Sequence, residues 1–284
     1  MPVVLVVGPL PPTPAQPGPD WWGQVLPGAL DRAIPTVGGR FNAVVVDEGQ
    51  DFETDWMLTL DLLLAHPGED DFYVFFDPWQ SIIRRREPFG EECQRALGLT
   101  EIDLPANCRN ARPIHDLAYR FYGGDLEVEP LRGGGRAPEV IAAEPGEPAL
   151  TALRDVLHRL TVDEGVDRPE IAVLCGTSLE HSAVWHREQH RFGGVTLWNG
   201  NVDDAGRPLG LPADRVPTQP PRTVLGDSIH RFKGLDRPVV VIVELNPADP
   251  NLDRLLYVGL SRAVHHLVVI APPELAARLS TASA

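Results

Sequence analysis

Short, uninterrupted apolar runs recur along this chain and alternate with stretches of helical periodicity. That alternation restricts the fold more than any other property of the sequence. Phe41–Val46, Phe72–Phe76, Ile171–Cys175, Val239–Val243 and His265–Ile270 are strand-sized, and the first two each lead into an aspartate, Asp47 and Asp77. Strands that are apolar on both sides belong to parallel sheets covered by helices, so the expected class is α/β.

The intervening segments carry the helices. Predicted helices cover Val25–Ala33, Thr54–Ala65, Glu91–Leu97, Pro113–Tyr122, Ala149–Leu160 and Leu252–Val264, with a further helix in the His181–His190 stretch. Residues 9–20 are punctuated by proline and read as an extended connector, Gly123–Pro138 reads as a loop, and residues 199–222 read as a long surface loop. A strand is also expected at Glu139–Ala142, where the α/β pattern restarts. The expected division is a partial first parallel-sheet domain over 1–100 and a second over 101–284.

Composition then removes several classes. Of 284 residues 40 are acidic and 25 basic, for a net charge of −15. Nucleic acid can therefore be met only through a local patch, never by the whole surface. No apolar run reaches the ~18 residues of a membrane helix, and the start MPVVLVVGPL has no cationic leader, so a cytoplasmic protein without a membrane partner is expected. Three widely spaced cysteines form no CxxC pair, which argues against a zinc knuckle. Lys233 is the only lysine among the 25 basic residues. Any mechanism that requires lysine has one candidate.

Chemistry-bearing residues cluster at the ends of the apolar runs. In Asp47-Glu48-Gly49-Gln50-Asp51, Asp47 can hold a magnesium ion through its waters while Glu48 polarises an attacking water. Gln80, just past the neighbouring strand, can reach the same crevice and sense a terminal phosphate. Arg109 opens the second unit within Asn107-Cys108-Arg109-Asn110. Arg262 sits on an otherwise apolar helix, where it needs a carboxylate or phosphate partner. Trp79 followed by Arg84, Arg85 and Arg86 joins a stacking ring to phosphate-neutralising charge, a combination that suits single strands, or equally forms a solvated arginine run. Phe232 can stack a base or fill the core. His181, His186 and His190 lack an acidic partner motif, and a solvated helix face accounts for them.

Taken in order, the segments DEGQD, FDPWQ, NCRN, SIHRFKGLD and YVGLSRA resemble the second to sixth motifs of superfamily 1 helicases of the UvrD/Rep type, and especially their compact nuclease-related-domain-associated relatives. The resemblance spans about residues 10–275. It implies two RecA-like domains, the first incomplete, that close on ATP and Mg2+. Asp47 and Glu48 would then serve magnesium and water activation, Gln80 would couple the γ-phosphate to domain movement, and Arg109 and Arg262 would act as arginine fingers. His230 would face single-stranded nucleic acid, with DNA the favoured kind, and Asp236 would approach the nucleotide sugar. Relatives mostly carry glutamate at that last position, one methylene longer.

One part of the pattern is missing. A phosphate loop reads GxxxxGK[ST], and Lys233 stands instead in Phe232-Lys233-Gly234-Leu235. The expectation is a carboxyl-terminal part of a nucleic-acid-dependent ATPase, inactive alone, with the loop lost by truncation or supplied by another polypeptide. A degenerate RecA-like module that binds nucleic acid or protein without catalysis is the alternative. A phosphate-handling hydrolase of unrelated type that uses the Asp-Glu pair with a metal is a third.

Overall fold

The computed structural model describes residues 21–82, 89–211 and 215–281, and the chain divides into two compact units, Met1–Ile102 and Asp103–Ala284. The predicted connector over residues 9–20 and the arginines Arg84 and Arg85 lie outside the described residues.

In the first unit, helix α1 (Leu26–Val37) precedes strand β1 (Ala43–Val46), helix α2 (Thr54–Asp61), strand β2 (Asp71–Val74) and helix α3 (Glu91–Ala96). β1 and β2 pair in parallel, with Val44 opposite Phe72 and Val46 opposite Val74. Strand residues alternate between faces. Val44, Val46, Phe72 and Val74 accordingly pack with Met57, Phe89 and Cys93. The other face presents Val45, Tyr73 and Phe75, which are 63%, 52% and 49% exposed. The expectation of a sheet covered on both sides therefore fails in this unit: among the described residues only one face is packed.

The second unit meets the α/β expectation more fully. Strand β3 (Ala106–Ala111), helix α4 (Arg112–Tyr119) and strand β4 (Glu129–Arg132) come first, and β3 and β4 form a small parallel pair. Strand β5 (Glu139–Ala142), helix α5 (Glu147–His158), strand β6 (Ile171–Cys175), the hairpin β7 (Arg191–Phe192) and β8 (Val195–Trp198), and strand β9 (Thr223–Ser228) follow. Strand β10 (Arg237–Val243), helix α6 (Leu252–Leu260), strand β11 (Ala263–Ala271) and helix α7 (Pro273–Ser280) complete it.

Seven strands join in the order β5-β11-β10-β6-β9-β8-β7, all parallel except the β7–β8 hairpin. The central strand β6 is buried along its whole length. One face of the sheet, with Ile171, Val173, Val239 and Val241, packs on Leu153, Val156 and Leu157 of α5. On the other face Gly259 of α6 lies so close to Ile229 and Ile242 that a Cβ there would stand 2.8 Å from Ile229 Cδ1. This parallel-dominated sheet is consistent with a RecA-like helicase carboxyl-terminal domain. Among the described residues no helix is long and apolar enough to cross a membrane.

Two local expectations are corrected. Gly123–Pro138 contains β4, which pairs with β3, a polar strand that has no apolar period to announce it. The stretch His181–His190 is not a helix. It holds two short turns, Leu179–His181 and Glu188–His190, with Gln189 and His190 in left-handed geometry (φ 52° and 51°) leading into the β7–β8 hairpin. Its histidines face separate partners: His181 Nδ1 meets Ser178 Oγ at 2.8 Å, His186 Nε2 meets the Glu180 carbonyl at 2.7 Å, and the His190 ring stacks on Trp185 at 4.2 Å.

Two buried histidines make the stability of this unit depend on pH. Burial pushes the imidazole of His115, on α4, below its ordinary value. His266, on β11, is pushed down likewise by burial and then by Arg136, against the opposing pull of Glu164 and Glu139, and neither of its ring nitrogens has a hydrogen-bond partner among the described residues. The unfolded chain titrates these rings near the ordinary ~6.5. Between that value and the lower folded ones it binds more protons than the native state, so stability rises with pH there. The stabilisation is therefore expected to be complete above about pH 7 and to be lost as pH falls through the mid-6 range. Urea unfolding at several pH values checks this, and a His266→Leu protein with an unchanged slope below neutrality would contradict the assignment to His266.

Candidate functional site

The first unit assembles a connected polar chain at the carboxyl end of its strands. Asp47 and Glu48 follow β1 directly, and Glu48 adopts a left-handed conformation (φ 55°), its amide donating to Asp47 Oδ1 at 2.9 Å. The next residue, Gly49, donates to the Phe75 carbonyl at 2.9 Å and is pressed against β2: a Cβ there would stand 2.4 Å from Val74 Cγ1. This close approach swings Gln50 inward, where it is 3% exposed. Its Nε2 donates to Glu48 Oε2 at 2.6 Å, while its Oε1 accepts the Asp77 amide at 3.0 Å.

Asp77 continues the chain. Its carboxylate caps the short turn Pro78–Gln80, accepting from the Trp79 amide at 2.9 Å and from Gln80 Nε2 at 3.1 Å. Glu48 and Gln80, expected at one crevice from their motifs, are thus joined through Gln50 and Asp77. Sequence reasoning passed over both linkers. The signal was present in the two ladder-end motifs, since a buried amide between two strand ends has to satisfy both its oxygen and its nitrogen. Trp79 is half-buried beside Gln80.

A magnesium ion is implied by the resemblance. Asp47 is exposed, with one carboxylate oxygen engaged by the Glu48 amide. Among the described residues no group of three or more His, Cys, Asp or Glu side chains converges into a ready-made cage. Such a donor set fits a Mg2+ that arrives with phosphate, because Mg2+ keeps several waters and takes one or two carboxylates together with phosphate oxygens.

The second unit separates its candidates between the two edges of the sheet. Ser228 ends β9 level with Cys175 of β6, and Cys175 is level with Val243 of β10. Arg237 begins β10 six residues earlier, about 20 Å away at the rise of a strand. The segment between Ser228 and Arg237 therefore leaves the sheet at its carboxyl edge and re-enters at its amino edge. His230 is exposed near the start of that crossing and Asp236 lies at its end.

Phe232, midway along, is fully buried, and the Arg237 guanidinium lies over its ring at 5.8 Å. Of the two roles considered for Phe232, this structure shows it filling the core. At the carboxyl edge Asp227 is 7% exposed, and burial pushes its carboxyl up against the opposing Arg231 charge and the Ser228 amide. Arg231 Nε stands 3.1 Å from Asp227 Oδ1 as an ion pair without hydrogen-bond alignment.

Three predicted residues do come together, at the amino edge. Arg262 lies past the end of α6, in the turn into β11, not on the helix as expected. It is fully buried, donating from Nε to the Val258 carbonyl (2.9 Å), from Nη2 to Ser261 Oγ (2.9 Å) and from Nη1 to the Leu235 carbonyl (3.4 Å). Its own carbonyl accepts from the Arg237 amide at 3.1 Å, which places it beside Asp236.

Asn110 ties the third member in. It is 2% exposed, and its Nδ2 donates to the carbonyls of Ser261 (2.8 Å) and Ala263 (2.6 Å), on either side of Arg262. Asn107 Oδ1 accepts the amides of Arg109 (2.9 Å) and Asn110 (3.0 Å), which shapes the NCRN turn. Arg109 then extends to Asp236, Nε to Oδ2 at 3.4 Å. Asn107 and Asn110 were overlooked as positioning residues because neither the charge nor the period of the segment distinguishes them.

Residues 224–270, which contain both SIHRFKGLD and YVGLSRA, match the family model of the UvrD-like helicase C-terminal domain. Among solved structures the chain is similar to the C-terminal domain of a possible DNA helicase from Lactobacillus plantarum WCFS1, at 21% identity and a TM-score of 0.43, covering 62% of this chain and 96% of that one. No curated protein matches. The matched stretch of the second unit is helicase C-terminal-domain-like. It takes in β10, α6 and nearly all of β9 and β11, the elements that position Asp236 and Arg262.

Proposed function

We propose that the chain is a helicase-related fragment whose two units supply complementary parts of a nucleic-acid-dependent ATPase. Asp47 and Glu48 serve magnesium and the attacking water, and Gln80 responds to the γ-phosphate. Arg109 and Arg262 stabilise the charge that develops during phosphoryl transfer, and Asp236 stands near the nucleotide sugar. His230 and Trp79 meet single-stranded DNA, with Arg84 and Arg85 as phosphate contacts. The observation that carries this reading is the match of residues 224–270 to the UvrD-like helicase C-terminal domain, within which Arg262 and Asp236 adjoin. The polar chain from Glu48 to Gln80 supports it independently from the first unit.

Mg2+ would supply charge neutralisation on the β- and γ-phosphates, held in part by Asp47. Glu48, fixed by Gln50, would accept a proton from water. The 284 residues contain no GxxxxGK[ST], and the lysine and amide cradle of that loop supplies much of the phosphate binding in such enzymes. The chain by itself is therefore expected to turn over ATP negligibly, with or without single-stranded DNA, and to gain DNA-stimulated turnover when a polypeptide bearing the loop is added in trans. A phosphate-release assay decides. Robust turnover by the chain alone would refute the first half of this expectation. Absence of any gain in trans would favour the non-catalytic binding module instead.

A further inference from the structure

Two residues that the nucleotide reading assigns to different parts of one ligand are paired with each other. Arg109 Nε stands 3.4 Å from Asp236 Oδ2, with the side chains 37% and 48% exposed. Both backbones are held from elsewhere. The Arg109 amide is fixed by Asn107, and Asn110 clamps the same turn to the carbonyls around Arg262. On the other side, the Asp236 carbonyl takes Arg237 Nη1 at 2.9 Å, and the preceding Leu235 carbonyl takes Arg262 Nη1. The side chains of the pair are thus free to part while their anchor points stay in place.

A guanidinium presents a planar fork of donors that suits one carboxylate or one phosphate edge. A carboxylate lying against Arg109 therefore occupies a direction from which an anionic ligand would approach. Close by, Arg237 Nε is buried and has no hydrogen-bond partner among the described residues.

We propose that Asp236 is a built-in competitor for the anion position of Arg109, displaced when a polyphosphate binds. This rests on the nucleotide reading above and adds to it a means of regulation: the second unit masks its own phosphate contact until the ligand is present. The pair is partly exposed, and such pairs contribute little, typically under ~1 kcal/mol. The mask is weak enough for a ligand to lift. It is also screened by salt.

Calorimetric titration of the full chain with sodium tripolyphosphate, and separately with ATP, tests the proposal at low and high ionic strength. The proteins are the wild type, Asp236→Asn, Arg109→Gln and the double variant, each checked for folding by circular dichroism. Asp236→Asn is expected to tighten tripolyphosphate binding about fivefold at low salt, the equivalent of ~1 kcal/mol. The gain should shrink at high salt and be absent in the Arg109→Gln background.

Tripolyphosphate has no sugar, so a role of Asp236 at the sugar would appear only as a smaller gain for ATP. If Arg109→Gln weakened binding but Asp236→Asn did not tighten it, competition would be overturned and the nucleotide reading would stand. An equal gain in the Arg109→Gln background would overturn the proposal as a general charge effect. Binding by none of the four proteins would overturn the competition, whereas the nucleotide reading stands or falls with the turnover measured when the phosphate loop is added in trans.

Discussion

An Arg262→Ala protein is expected to lose about 3–4 kcal/mol of stability in its second unit, seen as a lower urea midpoint by far-ultraviolet circular dichroism. The side chain is the largest fully buried one among the described residues. Its guanidinium donates to the Val258 and Leu235 carbonyls and to Ser261 Oγ, joining the end of α6 to the entrance of β10. Truncation removes those donors, leaves buried acceptors short of partners at ~1–3 kcal/mol, and opens a cavity that tight packing cannot refill. Arg262→Lys keeps the charge but offers one ammonium in place of a fork, so an intermediate loss is expected. A loss below ~1 kcal/mol in Arg262→Ala would mean that this cage does not hold the amino edge together. The result also governs how any functional assay is read, because inactivity of Arg262→Ala follows from unfolding as readily as from a missing phosphate contact.

How much of this could be read beforehand depended on which signal each element carried. β6 and β10 were legible because a run such as Val239–Val243, buried on both faces, has to be apolar throughout. β3 was not: Ala106–Ala111 is held by Asn107 and Asn110 side chains, which leave no hydrophobic period. The supposed helix at His181–His190 failed for a different reason. Its only apolar residues, Ala183, Val184 and Trp185, are consecutive and give no helical period, and left-handed Gln189 and His190 turn the chain into a hairpin, a geometry that nothing in their side chains signals in advance.

The motifs themselves stood out by residue type, but their placement did not. That Asp236 and Arg262 adjoin follows from two neighbouring parallel strands beginning level, with Arg237 opposite Ala263, a matter of register and not of sequence spacing. The same register puts His230 at the far edge. One nine-residue segment thereby connects a candidate nucleic-acid contact to a candidate nucleotide contact across the length of the sheet. In the first unit the acids lie at the carboxyl ends of the strands, where ligands commonly bind in open α/β sheets. The second unit reverses this and gathers its arginines at the amino edge, which a strand count from sequence cannot foresee.

In a protein completed by a phosphate loop, Glu48→Gln is expected to lower kcat about 10²–10⁴-fold, the usual contribution of a positioned general base, while leaving ATP binding nearly unchanged. The geometry makes this substitution unusually informative. Gln50 Oε1 accepts the Asp77 amide, so its Nε2 is the atom that faces residue 48. A glutamine there can keep the same hydrogen bond by turning its own carbonyl toward Gln50 Nε2, which leaves its amide nitrogen where the second carboxylate oxygen stood. Shape and anchorage survive, whereas the capacity to take a proton does not. A general base would therefore show as a fall in kcat with KM for ATP held. A parallel loss of ATP affinity would instead mean that the charge of Glu48 matters for binding, and an unchanged kcat would remove Glu48 from the chemistry altogether.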